Sequence, residues 1–398
     1  MNTRAAFLLY ALSTAFPAIA QTVVSAGTST GDSTGKAARP SAAQPNPSSL
    51  MSPGSRNLQS FNGWNLYVEE DLLFAPRNED RNYTGGIGLR LYAEDSWIKS
   101  LCRPLELLDG FLFAESPHEY SGRQVYSVMT GLTAFTPDSL KVSHVVPDDR
   151  PYASLIFFTL GEMSVNEPKN FAVESGLTFG MLGLRTAEGI QSWIHSKSRA
   201  RSGDSTPFPP RGWAHQISDG GEPTLLYHLA VHYKLLEVPD LPDVHNPLGL
   251  HGLQWICMAE ANAGYYTDIA FGSSIRAGRI RSRFWQFNSS PMTSYTEGLN
   301  AQKDRWHLEA YLFGSTRMRV VGYNALLQGQ FGQSDYTLGS DRINRLIQEF
   351  DFGAAANVKR INLAWVIFSG RTAEFDGPME RSHYWGSVFL SYQNSVKL

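Results

Sequence analysis

A strand-like run in the segment Asn65 to Tyr92, NLYVEEDLLFAPRNEDRNYTGGIGLRLY, ends on two acids, and a hydroxyl residue heads the run that follows. Glu70, Asp71 and Thr84 make an oxygen-rich cluster of the kind that suits a hard cation. Side chains alternate between faces along a strand, so Leu66, Val68 and Glu70 share one face while Tyr67, Glu69 and Asp71 share the other. Joint use of Glu70 and Asp71 therefore requires a bend at the strand end.

A second chemical stretch runs from Gly180 to Tyr227, where an apolar strand gives way to helical spacing. Ile190, Trp193 and Ile194 fall at i, i+3 and i+4, and Gln191 and His195 lie four apart on the adjacent face, able to orient one substrate or water. An imidazole titrates near 6.5, about right for taking a proton from water at neutral pH. The chain has ten histidines, and an isolated histidine is as well suited to ordinary hydrogen bonding. Spacing alone does not single out His195.

The elements that must carry these residues read as strands. Candidates fall at 62–73, 85–95, 123–135, 152–164, 171–183, 223–236, 251–263, 268–280, 304–316, 319–332, 346–357, 360–370 and 383–393. Most are long enough for a tilted strand to cross a bilayer, which takes about 9–11 residues. In 304–316, Arg305, His307, Glu309 and Tyr311 alternate with Trp306, Leu308, Ala310 and Leu312, giving one polar and one oily face. Trp64, Tyr92, Trp97, Tyr152, Tyr233, Tyr265, Tyr323 and Trp385 lie near strand ends and suit interfacial girdles. The pattern predicts an all-β fold, a transmembrane antiparallel β-barrel of about twelve strands.

Residues 1–20 carry Arg4, an apolar run and Ala18-Ile19-Ala20, the layout of a cleaved signal peptide. Residues 21–60 are rich in Ser, Gly, Ala, Thr and Pro and read as a disordered linker. The barrel is expected over 61–398. A net charge of −3 gives no basic imbalance of the kind nucleic-acid binding needs. Cys102 and Cys257 are far apart and in no metal-ligand spacing, so each is a buried thiol, a lipid-facing residue or half of a disulfide. Arg81, Arg123, Lys141, Arg150, Lys197, Arg199, Arg201 and Arg211 are basic residues near loops or strand ends, suited to phosphate contact or simply to solvent.

The order of these features carries a resemblance. An acid pair ends the first strand, Asp80-Arg81-Asn82-Tyr83-Thr84-Gly85-Gly86 opens the second, and Asp149-Arg150-Pro151-Tyr152-Ala153 follows. Then come Gln191-x-x-x-His195, Gly212-Trp213-x-x-Gln216 and Glu222-Pro223. The sequence resembles the LpxR-like outer-membrane lipid A 3′-O-deacylases over nearly all of the chain after the linker. The resemblance implies a twelve-stranded barrel in the bacterial outer membrane, acting as a monomer on lipopolysaccharide. It implies a calcium-dependent ester hydrolase that removes the 3′-linked acyloxyacyl group, with its site between barrel wall and extracellular loops. By motif, the family's Asn-Asp pair falls on Glu70 and Asp71, its hydroxyl residue on Thr84, and its Gln and His on Gln191 and His195. His195, Asp71, Thr84 and Gln191 are thus the expected catalytic residues, and Asp71 and Glu70 the expected calcium ligands. The sequence departs from the family twice. Glu70 stands where the family has a neutral Asn, and Ser198 to Arg201 stand where it has a further Glu, a role that Asp204 or Glu222 could take over.

Two other functions fit the same scaffold. One is a phospholipase-type outer-membrane esterase. The other is a non-catalytic barrel of transport or structural role, with the acids and histidine lining its lumen.

Overall fold

Strands β1 (Ser60–Glu70), β2 (Asn82–Ala93), β3 (Arg123–Thr136), β4 (Ala153–Asn166), β5 (Phe171–Leu182) and β6 (Glu222–Val238) pair in sequence order, each antiparallel to the next. So do β7 (Leu253–Gly264), β8 (Tyr266–Arg279), β9 (Leu308–Asn324), β10 (Leu346–Val358), β11 (Ile361–Arg371) and β12 (His383–Val396). β6 pairs with β7, and β12 returns to pair with β1, so the twelve strands form a closed barrel with no free edge. This computed structural model describes residues 60–70, 82–94, 97–113, 118, 123–193, 210–238, 252–280, 282–286, 308–358 and 360–396. The proposed leader lies outside them, as does the linker up to residue 59.

Burial alternates along the strands as a barrel in lipid requires. On β9, Leu308, Leu312, Met318 and Val320 are exposed, whereas Glu309, Tyr311, Phe313, Arg317 and Arg319 are buried. The same phase puts Ile87, Leu89, Phe158, Phe179 and Leu225 on the outer wall of β2 and β4–β6. Inside, Arg319 is wholly buried among Glu260, Asp268 and Glu349, the last at 3.3 Å. Buried charge of this kind persists only when paired. At this level the side chains of β7 to β10 meet inside the barrel.

Two expectations are corrected. The separate strands expected at 304–316 and 319–332 are one strand, β9, followed by the short helix Ala325–Gln328. No turn residues interrupt the alternation across Thr316 to Arg319, so the inward phase runs on from Phe313 to Arg317. The girdle is also smaller than expected. Tyr92 packs inside the barrel, Tyr152 sits in a loop against Trp213, and Trp385 packs on Tyr83. Trp64 keeps an outer-wall place, stacked on Tyr392.

The barrel has two distinct mouths. The ends of the strands joined through 71–81, 137–152, 183–221, 325–345 and 372–382 lie at one, and Ser60 and Val396 lie at the other with the strand ends joined through 94–122, 239–252 and 280–307. We call these the loop mouth and the terminal mouth. The longest connection, 183–221, is at the loop mouth, the outward side by the asymmetry of bacterial barrels. A cluster of Val321, Leu327, Leu338, Ile343, Ile347 and Phe375 caps the loop mouth. Two further helices, α1 (Trp97–Leu101) and α2 (Arg103–Leu112), lie in the connection 94–122, and α3 spans 186–193. Both cysteines are free thiols, Cys102 buried under α1 and α2 and Cys257 half-buried on β7.

Candidate active site

The local fold of Tyr83-Thr84-Gly85-Gly86 decides which way the hydroxyl faces. A β-bulge between Tyr83 and Gly85 puts an extra residue into β2. Tyr83 turns inward and donates its hydroxyl to Glu69 Oε2, and Ser387 Oγ donates to Glu69 Oε1 at 2.9 Å. Thr84 turns outward, its Oγ1 lying 2.8 Å from Oγ1 of Thr136. Gly85 has φ +150, and a Cβ there would meet the Glu69 carbonyl oxygen at 2.7 Å. At Gly86 a Cβ would meet the Tyr83 hydroxyl at 2.4 Å, so the pair of glycines gives the bulge its room.

Glu70 ends β1 in the outward row with Leu66 and Val68. It pairs in register with Gly85, which pairs in turn with Ala134 of β3. Glu70, Thr84 and Thr136 therefore share the loop-mouth end of the outer wall. The lumen receives Glu69 instead. Asp71 lies outside the described residues.

The described parts of loop 183–221, 183–193 and 210–221, pack onto this part of the wall. Ala134, Leu140, Tyr152, Ala187 and Trp213 form one buried cluster, with Leu132 against it. Trp213 is fully buried, and its Nε1–H donates to Gln191 Oε1 at 2.8 Å. Removing a tryptophan side chain from water is worth on the order of 5 kcal/mol, enough to hold the loop against the barrel. Gly212 lets the chain pass over Tyr152, since a Cβ there would meet the ring at 2.3 Å.

On α3, Ala187 and Gln191 face the wall, whereas Ile190 and Trp193 are 40% and 63% exposed. Of the apolar face expected from the spacing, Ile190 and Trp193 are thus largely in the open, and Ile194 lies outside the described residues. α3 is described to residue 193, and His195 lies outside the described residues, as do Asp204, Arg81, Lys197, Arg199 and Arg201.

Hydrogen bonds and ion pairs tie the neighbouring loops together. Ser154 Oγ donates to Gln216 Oε1 at 2.9 Å, and Gln216 Nε2 donates to Asp219 Oδ1 at 2.9 Å. Glu222 accepts from the backbone N–H groups of Phe331 and Gly332 at 2.7 and 2.9 Å. Glu222 is thereby tied to the 325–345 connection. His215 Nδ1 lies 2.6 Å from Asp335 Oδ2 and its Nε2 lies 3.0 Å from the Ser143 carbonyl oxygen. The Asp335 hydrogen bond, then that to Ser143, hold the His215 pKa above its ordinary value.

The basic residues divide. Arg150 is fully buried, 3.2 Å from Glu374 and over the Phe135 ring at 4.2 Å. Burial pushes the Arg150 guanidinium down to about 10. Although burial alone would raise it, Arg371, His383 and Arg150 hold the Glu374 carboxyl down to about 2. Asp149 accepts from the Asp138 N–H at 2.7 Å and pairs with Arg381 at 2.7 Å. The Asp149-Arg150-Pro151-Tyr152 motif is thus a loop anchor, with Arg150 unavailable to a phosphate. Arg123 is also removed from the site, because it lies at the terminal mouth and pairs with Glu94. Lys141 and Arg211 remain at the loop mouth.

Glu70 brings a hard carboxylate oxygen and Thr84 and Thr136 bring hydroxyls, a donor set whose chemistry fits calcium. Among the described residues, the His, Asp and Glu side chains that come close enough to share a cation are Asp109, His118 and Glu162. They lie toward the terminal mouth, at the other end of the wall from this site. Sequence reading missed Thr136, although its place at the outward end of a strand in phase with Leu132 and Ala134 was a usable signal.

Comparisons with known proteins agree with this architecture. The family model described as "Outer membrane protein LpxR" matches residues 7–394. No curated protein sequence matches the chain. The solved structure "LpxR from Salmonella typhimurium" is similar with a TM-score of 0.60 at 14% identity, covering 83% of this chain and 99% of that one. The β domain of the Bordetella autotransporter BrkA is similar at a TM-score of 0.36 and 10% identity, covering 84% of this chain and 99% of that one.

Proposed function

The chain belongs to the LpxR family of bacterial outer-membrane proteins, and from that membership we infer that it is a lipid A 3′-O-deacylase, an ester hydrolase that remodels lipopolysaccharide. One observation carries the reading. Glu70, Thr84 and the loop bearing Gln191 lie on the outer wall at the loop mouth, where an acyl chain of the outer leaflet can reach them from the side. A lumenal site would be out of reach of such a substrate.

In this mechanism His195 takes a proton from water as the water oxygen attacks the ester carbonyl carbon. The bond from that carbon to the sugar 3′ oxygen breaks, and the imidazolium returns its proton to the leaving oxygen. Gln191, braced through its carbonyl by Trp213, and Thr84, braced by Thr136, orient water and ester through their polar atoms. Asp71, with Glu70, would hold a calcium ion, whose positive charge would stabilise the charge developing on the carbonyl oxygen. Glu70 in place of a neutral residue adds negative charge beside that ion. The protein acts as a monomer in this reading.

The buried ion pairs of Arg319 inside the barrel weigh against the transport alternative. A phospholipase-type activity differs only in which lipid loses its fatty acid. Mass spectrometry of lipid A from cells with and without the protein tests the reading. Loss of the 3′ acyloxyacyl mass is expected, and unchanged lipid A in the presence of calcium contradicts it.

A further inference from the structure

The outer wall carries a second built feature, far from the proposed site. Between β2 and β3 the chain forms α1 and α2, which pack on the outside of the barrel toward the terminal mouth. α1 lies over β2 and β3, and α2 over β4 and β5. Ile98, Cys102 and Leu105 bury against Ala93, Tyr126, Val128, Leu160 and Leu177, all on outward rows. The helices cross the strands rather than follow them, so the pair runs around the circumference of the barrel.

A polar latch fixes it there. Ser175 Oγ donates to Asp109 Oδ2 at 2.7 Å, and Tyr227 donates its hydroxyl to Asp109 Oδ1 at 2.5 Å. His118 Nε2 lies 2.9 Å from Ser175 Oγ, and its Nδ1 lies 3.9 Å from Glu162 Oε1. Glu162 and Ser175 sit on outward rows that would otherwise face lipid, and the helices bury them. Asp109, His118, Glu162 and Ser175 are each at most 4% exposed.

The opposite face of the pair is apolar and exposed among the described residues. Trp97 is 60% exposed, Leu107 74% and Phe111 84%, and Lys99 and Arg103 are exposed beside them. This face continues the lipid-facing band of Ile87, Leu89, Phe158 and Phe179 on the strands that the helices cross. A pair of helices with one face on the wall, one apolar face outward and basic residues between has the composition of an interfacial helix, whose apolar side sits about 5–10 Å into the headgroup and acyl boundary.

We propose that α1–α2 is an interfacial belt seated in the phospholipid leaflet at the terminal mouth, with Trp97, Leu101, Leu107 and Phe111 among the acyl chains and Lys99 and Arg103 at the headgroup phosphates. The belt sets the depth of the barrel from the leaflet opposite the proposed site. It rests on the outer-membrane fold and not on the deacylase reading.

A benzophenone amino acid placed at position 107 or 111 of the full chain, irradiated in intact cells, tests this directly, with position 179 in the lipid-facing band as reference. Adducts carrying the mass of a glycerophospholipid at 107 and 111 are expected. Adducts to another protein or to a second copy of the chain overturn the proposal, as does the absence of lipid adducts at 107 and 111 when 179 gives them. K99E/R103E in the same background should lower the share of phosphatidylglycerol among the adducts at least twofold, and an unchanged share overturns the headgroup assignment. A nitroxide at 107 in a C257S chain reconstituted in phosphatidylethanolamine and phosphatidylglycerol vesicles should be more accessible to oxygen than to a water-soluble nickel chelate. The reverse order contradicts the belt.

Discussion

Thr84 Oγ1 and Thr136 Oγ1 lie 2.8 Å apart on the outside of the barrel, joined across two strands by the bulge that sends Tyr83 inward. This contact fixes the position of the hydroxyl that the proposed chemistry uses. T136V keeps the shape of the side chain and removes the partner. It should lower ester release about fivefold, corresponding to the roughly 1 kcal/mol of a single hydrogen bond, with the heat-modifiable barrel unchanged on gels. An unaltered rate would mean that Thr84 needs no such support.

Trp213 makes the equivalent contact for Gln191. W213F keeps most of the buried ring and deletes the N–H donor, so Gln191 loses its fixed orientation. Turnover should fall roughly tenfold with little change in the temperature of unfolding, the pattern of a lost orienting hydrogen bond and not of a lost core. A rate and a stability that fall together would instead make Trp213 a packing residue only.

His215 links three connections through Asp335 and the Ser143 carbonyl, and both ring nitrogens donate only when the imidazole is protonated. Its pKa is raised in the folded chain. The link is therefore fully present below the unfolded value of about 6.5 and is lost as pH rises through the raised folded value. Amide exchange in 325–345 should accelerate on going from pH 6 to pH 9 more in the native chain than in H215Q. Equal acceleration in both would remove His215 from the coupling.

Much of the barrel was legible because lipid on one side and packed side chains on the other impose period 2 on every strand. Leu308, Ala310 and Leu312 against Glu309 and Tyr311 display it without ambiguity. The split of β9 failed at Arg317, which looks like a loop residue but is a buried lumenal cation, an environment that only the closed barrel creates. α1 and α2 escaped notice because a search for alternation passes over a short amphipathic helix. The spacing of Ile98, Cys102, Leu105 and Asp109, with Pro104 in the first turn, was the available signal. At the site, the strand-end place of Glu70 and the helical place of Gln191 followed from spacing. The outward turn of Thr84 did not, since a bulge is a property of two paired strands. The anchoring roles of Arg150 and Glu222 depend on partners more than a hundred residues away, Glu374 and Phe331.

The central claim is that this wall hydrolyses the 3′ ester of lipid A with His195 and Asp71. Purified chain in detergent with hexa-acylated lipid A and calcium, followed by mass spectrometry, tests it most directly. The native chain should release the 3′ acyloxyacyl group, chelation should abolish release, and H195A and D71A, each still a heat-modifiable barrel, should lower it by at least a hundredfold, the scale of a lost general base. Release by H195A at the native rate, or native release after exhaustive chelation, would contradict it.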